Sequence, residues 1–325
     1  MKLWRTAQDL LRRHGKCAMI TIVEVKGSSP RDSGARLIVT EDGFYRGTIG
    51  GGALEWQAMA RAQSALASGD GRSHLTWAAL GPDLGQCCGG QVKLFTEIFS
   101  AADLGWIGEF ALKETQASFS TLLRLDGTGE RRVIVGLQGR PGSAWLALGN
   151  LLRETFGEER RHVLLFGAGH VGRALVLALA PLPFAVTWID SRLEAFPHAV
   201  PADVVLKPLP DPVAALDLGP AQSFVVVMTH SHALDFDIVL AALKDDRFPY
   251  VGLIGSETKR ARFLSRLRKL GIGEKALPRL VCPLGIAGIS SKEPAVIAAA
   301  ATAELLLRDE ELRAEAKPLD HRQIA

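Results

Sequence analysis

The sequence predicts an α/β chain in two parts. Residues 1–140 read as an N-terminal mixed α+β domain, residues 162–325 as a doubly wound parallel sheet, and residues 141–161 as the linker. Three observations carry this. From residue 162 onward, short apolar runs alternate with helical patterns, the rhythm of parallel strands joined by crossover helices. Before residue 140, strands and helices mix without alternation. Between them, "RPGSAWLALGNLLRETFGEER" opens on Pro and Gly and ends in charge, as domain boundaries do.

In chain order, residues 3–13 place Leu3, Ala7, Leu10 and Leu11 on one helical face. "CAMITIVEV" reads as a strand. "ARLIVT", the turn "EDG" and "FYRGTIG" read as a hairpin. Residues 53–67 form a helix that stops at Gly69. "SHLTWAAL" and "QVKLFTEIF" are strands bracketing "GPDLGQCCGG", and "FSTLLRLDG" and "RRVIVGL" form a further pair. In the second part the strands are "HVLLFGAG", "FAVTWID", "ADVVLKP", "SFVVVMTH" and "YVGLIGS".

Hydrophobic residues make up 47% of the 325, enough for two cores, and charged residues 22%. A net charge of +3 and only 6% aromatics argue against a nucleic-acid partner. The four cysteines, Cys17, Cys87, Cys88 and Cys282, form neither a disulfide framework nor a CxxC pair, which fits a reducing compartment. The amphipathic N-terminus lacks a secretory core, and the run "EPAVIAAAATAELLL" is too short for a membrane span. A cytoplasmic protein is expected.

Gly167, Gly169 and Gly172 fit G-x-G-x-x-G between a strand and the helix that begins near His170, and Asp190 ends the next strand. These are the parts of a Rossmann dinucleotide turn: a tight turn, close approach to pyrophosphate, helix–strand packing and an acid for a ribose hydroxyl. The plainer alternative is that the glycines serve packing and Asp190 caps a loop. Two more strand-to-helix turns suit an anion. One is "LIGSETKR", with Gly255, Ser256, Lys259 and Arg260; the other is "GIAGISSKEP", with Gly285, Gly288, Ser290, Ser291 and Lys292. N-capping is the alternative for the serines. "KRARFLSRLRKL" reads as an amphipathic helix with a solvated basic face. "MTHSHALDFD" offers His230, His232, Asp235 and Asp237; ligand contact or helix capping is favoured there over metal binding.

Upstream, Ser28, Ser29 and Arg31 surround Pro30 in "GSSPR", a combination that grips phosphate through hydroxyls, backbone N–H groups and a guanidinium. Gly50, Gly51 and Gly52 allow close backbone approach and precede a helix with Glu55 in its first turn. Cys87 and Cys88 sit among glycines, which favours a nucleophile, a soft metal ligand or a sulfur carrier over buried apolar packing.

In this order, GSSPR, IGGGALE, LGPDLGQCCGG, FGAGHVG, MTHSHALD, GLIGS-x-x-K and GIxxxSSKEPAVIAAA resemble the xanthine dehydrogenase accessory proteins, the XdhC family, over residues 10–308. The resemblance implies an accessory chaperone rather than an enzyme. Such a protein binds the molybdenum cofactor (molybdopterin), holds it while a cysteine desulfurase supplies the sulfido ligand, and passes it to the xanthine dehydrogenase large subunit. It also implies a homodimer, with no nucleic acid and no membrane. The loops named above, including Cys88 as a molybdenum contact, are then expected to hold the cofactor. The alternative is an NAD(P)-dependent oxidoreductase that uses Asp190 with His230 or His232; a pure assembly scaffold is a second.

Overall fold

The computed structural model describes residues 2–69, 73–80, 89–125, 132–136, 139–147 and 150–315. They form two compact units, Met1–Glu159 and Arg160–Ala325.

The first unit begins with α1 (Leu3–His14), β1 (Lys16–Lys26), β2 (Arg36–Val39), β3 (Tyr45–Gly47), α2 (Gly52–Ser68), β4 (His74–Ala79) and β5 (Gln91–Ser100). The five strands make an antiparallel sheet in the order β3-β2-β1-β5-β4. Next come α3 (Leu104–Gln116), β6 (Phe119–Arg124), β7 (Val133–Val135), β8 (Ala144–Ala147) and β9 (Leu151–Phe156). Their strands form a second antiparallel sheet, β7-β6-β9-β8. The two-residue period of β1 splits its side chains between two layers. Cys17 and Met19 join Trp4, Leu11 and Ile107 beneath α1 and α3. Ala18, Ile20 and Ile22 join Leu54, Ala58 and Ala62 of α2 on the other face. Val23, on the same face as Cys17 and Met19, packs with Leu123, Ala144 and Leu152 of the second sheet, and the register shift between Ile22 and Glu24 brings Val25 to the α2 face.

The expected linker is corrected here. Residues 141–161 supply β8 and β9; β9 pairs with β6, and β8 pairs with β9. The strand was disguised by a charge inside it. Glu154 is completely buried, and its carboxylate accepts from Arg36 Nη2 at 2.9 Å and from Arg132. Arg132 also donates to the buried Glu97 of β5. Two guanidiniums and two carboxylates thus neutralise one another where the sheets meet, beside the ring of Phe156. The N-terminus of α1 is closed from α3: Glu114 accepts from the N–H groups of Leu3, Trp4 and Arg5 at 2.8, 2.9 and 3.4 Å.

The second unit is all parallel. β10 (Arg161–Phe166), α4 (His170–Leu179), β11 (Phe184–Asp190), β12 (Val205–Pro208), β13 (Phe224–Val227), α5 (His232–Lys244), β14 (Tyr250–Leu253), α6 (Glu257–Lys269), β15 (Leu280–Val281) and α7 (Pro294–Glu315) give the order β12-β11-β10-β13-β14-β15. Strand direction of progress reverses between β10 and β13, the crevice where such sheets bind ligands. Separate apolar clusters cover the two faces, which is why the strands are apolar throughout. Among the described residues, no helix is long and apolar enough to cross a membrane.

Replacing Glu154 with Leu leaves Arg36 and Arg132 buried with a lost partner. The expected cost is about 3–5 kcal/mol, read as a lower urea midpoint and faster amide exchange in β1 and β9. A midpoint equal to the parent's would show that the ion network does not hold the sheets.

Candidate functional site

The first unit holds a cleft of about 590 Å³, walled by Ser29–Arg36, Gly47, Thr48 and, from the far side, Gly142, Phe156 and Gly157. The fold brings two of the sequence motifs together here. Gly50 has φ +128°, and a Cβ on it would stand 2.6 Å from Pro30 Cγ, so only glycine lets the GSSPR and GGG loops meet. Gly51 and Gly52 also have positive φ, and Gly51 faces open space. The first loop is pressed onto the second sheet: a Cβ on Gly34 would fall 1.8 Å from the Gly142 carbonyl oxygen. Ser33 donates to the Ala144 carbonyl.

The charged groups divide into those that shape the cleft and two that are exposed at it, Arg31 and Asp32. Glu55 accepts from Thr48 Oγ1 at 2.7 Å and from the N–H groups of Ile49 and Gly51 at 2.9 and 3.2 Å. The carboxylate expected to meet a ligand is therefore the brace of the glycine loop. Arg36 is spent on Glu154, Gly34 O and Ser143 O. Burial pulls its guanidinium down to about 10, against the opposing pull of Glu97 and Glu114, so it stays a cation at neutral pH. Arg31 is exposed, and its guanidinium has no partner among the described residues. Ser29 Oγ donates to the Arg31 carbonyl at 2.9 Å and orders the turn. Ser28 is exposed, and its carbonyl lies against Gly90, where a Cβ would approach it to 2.2 Å. Cys87 and Cys88 lie outside the described residues.

Sequence reasoning missed Asp32, Ser33, Arg36, Thr48 and Glu114 as lining groups. Arg36 carried a signal, a charge opening an otherwise apolar strand. Glu114 carried none, because its partner is the start of a helix far away in sequence.

In the second unit the glycine turn has the expected geometry. Gly167 has φ +116°, and a Cβ there would meet the Met228 carbonyl at 2.3 Å; a Cβ on Gly172 would meet the Gly167 carbonyl at 2.1 Å. Gly169 has nothing within 4 Å and leaves the turn open, next to the exposed His170. Asp190 differs from expectation. Its Oδ2 accepts from the Ala168 N–H at 2.8 Å and Arg192 Nη2 at 3.0 Å, and its Oδ1 from the N–H and Nε of Arg192. Burial drives the carboxyl pKa up, but the bonds from Arg192 and Ala168 outweigh it and hold the pKa below the usual value. The acid that would read a ribose is committed to the turn itself.

His230 and His232 are exposed beyond β13, and Ser231 between them caps α5 by accepting from the Leu234 N–H at 3.3 Å. Asp235 and Lys259 do not face outward. Asp235 Oδ1 accepts from Thr229 Oγ1 at 2.7 Å, and Oδ2 accepts from Lys259 Nζ at 2.7 Å, which locks the loops after β13 and β14 together. Ser256 caps α6, and Gly255 makes room for Lys259 and Cys282. The anion-binding expectation for Ser256 and Lys259 gives way to these internal roles. Among the described residues, no group of three or more His, Cys, Asp or Glu is placed to hold a metal.

Two measurements check this division. Gly172→Ala should fail to fold or unfold well below the parent, whereas Gly169→Ala should keep the parent's thermal midpoint. Asp190 has a depressed folded pKa, so its contribution is complete above the ordinary carboxylate value of about 4 and is lost as pH falls through the folded value. Protection factors for amide exchange across residues 161–190 should therefore fall in acid, and Asp190→Asn should flatten that dependence. An unchanged acid profile in Asp190→Asn would remove the brace.

Comparison with known proteins gives the context. A model of the XdhC Rossmann domain matches residues 163–305, and a model of the XdhC and CoxI family matches residues 10–77. The uncharacterized protein YqeB of Escherichia coli (strain K12) is 27% identical over 312 residues, 94% of this chain; the chain spans 46% of YqeB's length. The molybdenum cofactor insertion chaperone PaoD of the same organism is 25% identical over 286 residues, 87% of this chain and 80% of PaoD. A crystal structure described as a xanthine dehydrogenase from Bacillus halodurans shares the fold, with a TM-score of 0.77 and 21% identity over 98% of each chain. With one family model in each unit, the chain belongs to the XdhC family.

Proposed function

We propose that this chain is an accessory protein that holds molybdenum cofactor as cargo, keeps it in place for sulfuration by a cysteine desulfurase, and delivers it to the large subunit of a xanthine dehydrogenase. The family and the relationship to PaoD support the accessory role. The observation that carries the reading is the cleft of the first unit. It offers an outward guanidinium at Arg31 beside glycine turns that let a ligand approach the backbone, while the hydroxyls of Ser29, Ser33 and Thr48 and the Arg36 guanidinium hold the walls in place. A molybdopterin ligand brings a phosphate and a flat ring system. The phosphate fits Arg31 through charge-assisted hydrogen bonds. A cofactor donor also has to let go, which favours a few exposed contacts over full enclosure. The cytoplasmic location and the dimer remain part of this proposal.

Titration of the purified full chain with molybdenum cofactor tests it, with NADH and NADPH in parallel. Saturable binding near one per chain is expected, weakened about tenfold in Arg31→Ala by loss of a charge-assisted bond. Absent cofactor binding together with tight nicotinamide binding would replace the reading with an oxidoreductase one. In that case Gly169 and His230 would be the residues to pursue.

A further inference from the structure

A second cavity of about 590 Å³ lies in the second unit, where β15 ends and α7 begins. It has no part in the proposed cargo site, and it is remote in the sheet from the glycine turn: β15 is the edge strand, whereas the turn follows β10. The fold here joins two motifs that are separate in sequence. Glu257 and Arg260 come from GSETKR, and Gly285 to Ser291 from GIAGISSKEP.

Apolar side chains make up most of the lining residues, while backbone and rim polar atoms supply more than half of its exposed surface. Leu280, Cys282, Leu284, Ile297 and Ala300 form the floor. Ile286 and Ile289 flank the mouth and remain 39% and 45% exposed. The loop that carries them is fixed rather than collapsed. Gly285 has φ +115°, and a Cβ there would lie 3.1 Å from Ala300 Cβ. Its N–H donates to the carboxylate of Glu304, which also accepts from Tyr250 Oη at 3.0 Å. The Ile286 N–H donates to the Ala300 carbonyl at 3.3 Å.

Two charged side chains stand at its rim. Arg260 is exposed at the rim and has no ion-pair partner among the described residues, while the neighbouring Lys259 is bound to Asp235. Glu257 lines the same rim. Clefts of this size that combine apolar side chains with convergent polar groups suit small ligands.

We propose that this cavity binds a small aromatic monoanion. Its ring lies against Ile286, Leu284 and Ile297, and its single negative group faces Arg260. Glu257 sets the charge limit, because a second negative charge on the ligand would stand against its carboxylate. The site therefore selects a monoanion over a dianion.

Fluorescence titration of the full chain with anilinonaphthalene sulfonate, an aromatic monoanion that brightens in apolar surroundings, tests this. One saturable site per chain is expected. Arg260→Gln should weaken it about fivefold, the scale of one exposed charge contact. Glu257→Gln should tighten it, Ala287→Trp should fill the cavity and abolish it, and Arg31→Ala should leave it unchanged. Opposite effects of two rim substitutions are not produced by a merely structural role. The proposal is overturned if no saturable binding occurs, if the rim substitutions leave the affinity unchanged, or if Arg31→Ala removes the signal. The last result would place the dye in the first unit's cleft and would leave the cargo reading standing.

Discussion

Glu154 is a carboxylate without solvent access, and the first unit is arranged around it. Left alone it could not stay ionised, since burying an unpaired charge costs several kcal/mol or shifts its pKa until it neutralises. Arg36 from the five-stranded sheet and Arg132 beside β7 supply the balancing charge. Each guanidinium is itself pulled down by burial, so no member of the group is stable without the others. The arrangement fixes how the two sheets meet. Arg36 stands at the base of the cleft, and its backbone neighbour Gly34 is pressed against Gly142. The shape of the cleft follows from that junction.

The same device recurs wherever a loop must hold an unusual shape. Glu55 gathers the donors of the glycine triplet, Glu114 closes the start of α1, Asp190 braces the dinucleotide-type turn, and Asp235 ties two strand-end loops through Lys259. Each of these carboxylates is buried and saturated with donors. These four acidic side chains serve the architecture, whereas the exposed charged groups at the two cavities are Arg31 and Asp32 in the first unit and Glu257 and Arg260 in the second.

This bears on what a Rossmann fold means here. Gly167 and Gly172 are required by packing, and Gly169 alone faces outward. With Asp190 held by Arg192, the turn keeps its geometry while its ribose-reading group is occupied. Fold and activity separate readily in this architecture. Membership of the XdhC family rests on both units together, and the chain spans less than half of YqeB, one of the curated relatives it matches.

Periodicity determined the parallel sheet of the second unit, because strands buried on both faces must be apolar throughout and their helices must intervene. The glycine turn was legible for a similar reason: its backbone conformation excludes side chains. The meeting of GSSPR with the glycine triplet was not legible, although both loops were noticed, because a 2.6 Å clash distance between Gly50 and Pro30 exists only once β1, β2 and α2 are packed. Strands β8 and β9 were hidden because local pattern treats Glu154 and Arg153 as surface residues, and only the tertiary structure provides the guanidiniums that let Glu154 be buried. The roles of Glu55, Asp190 and Lys259 were decided in the same way. Their chemistry is fixed by residue type, but whether a charge faces a ligand or a neighbouring backbone depends on contacts between segments far apart in the chain.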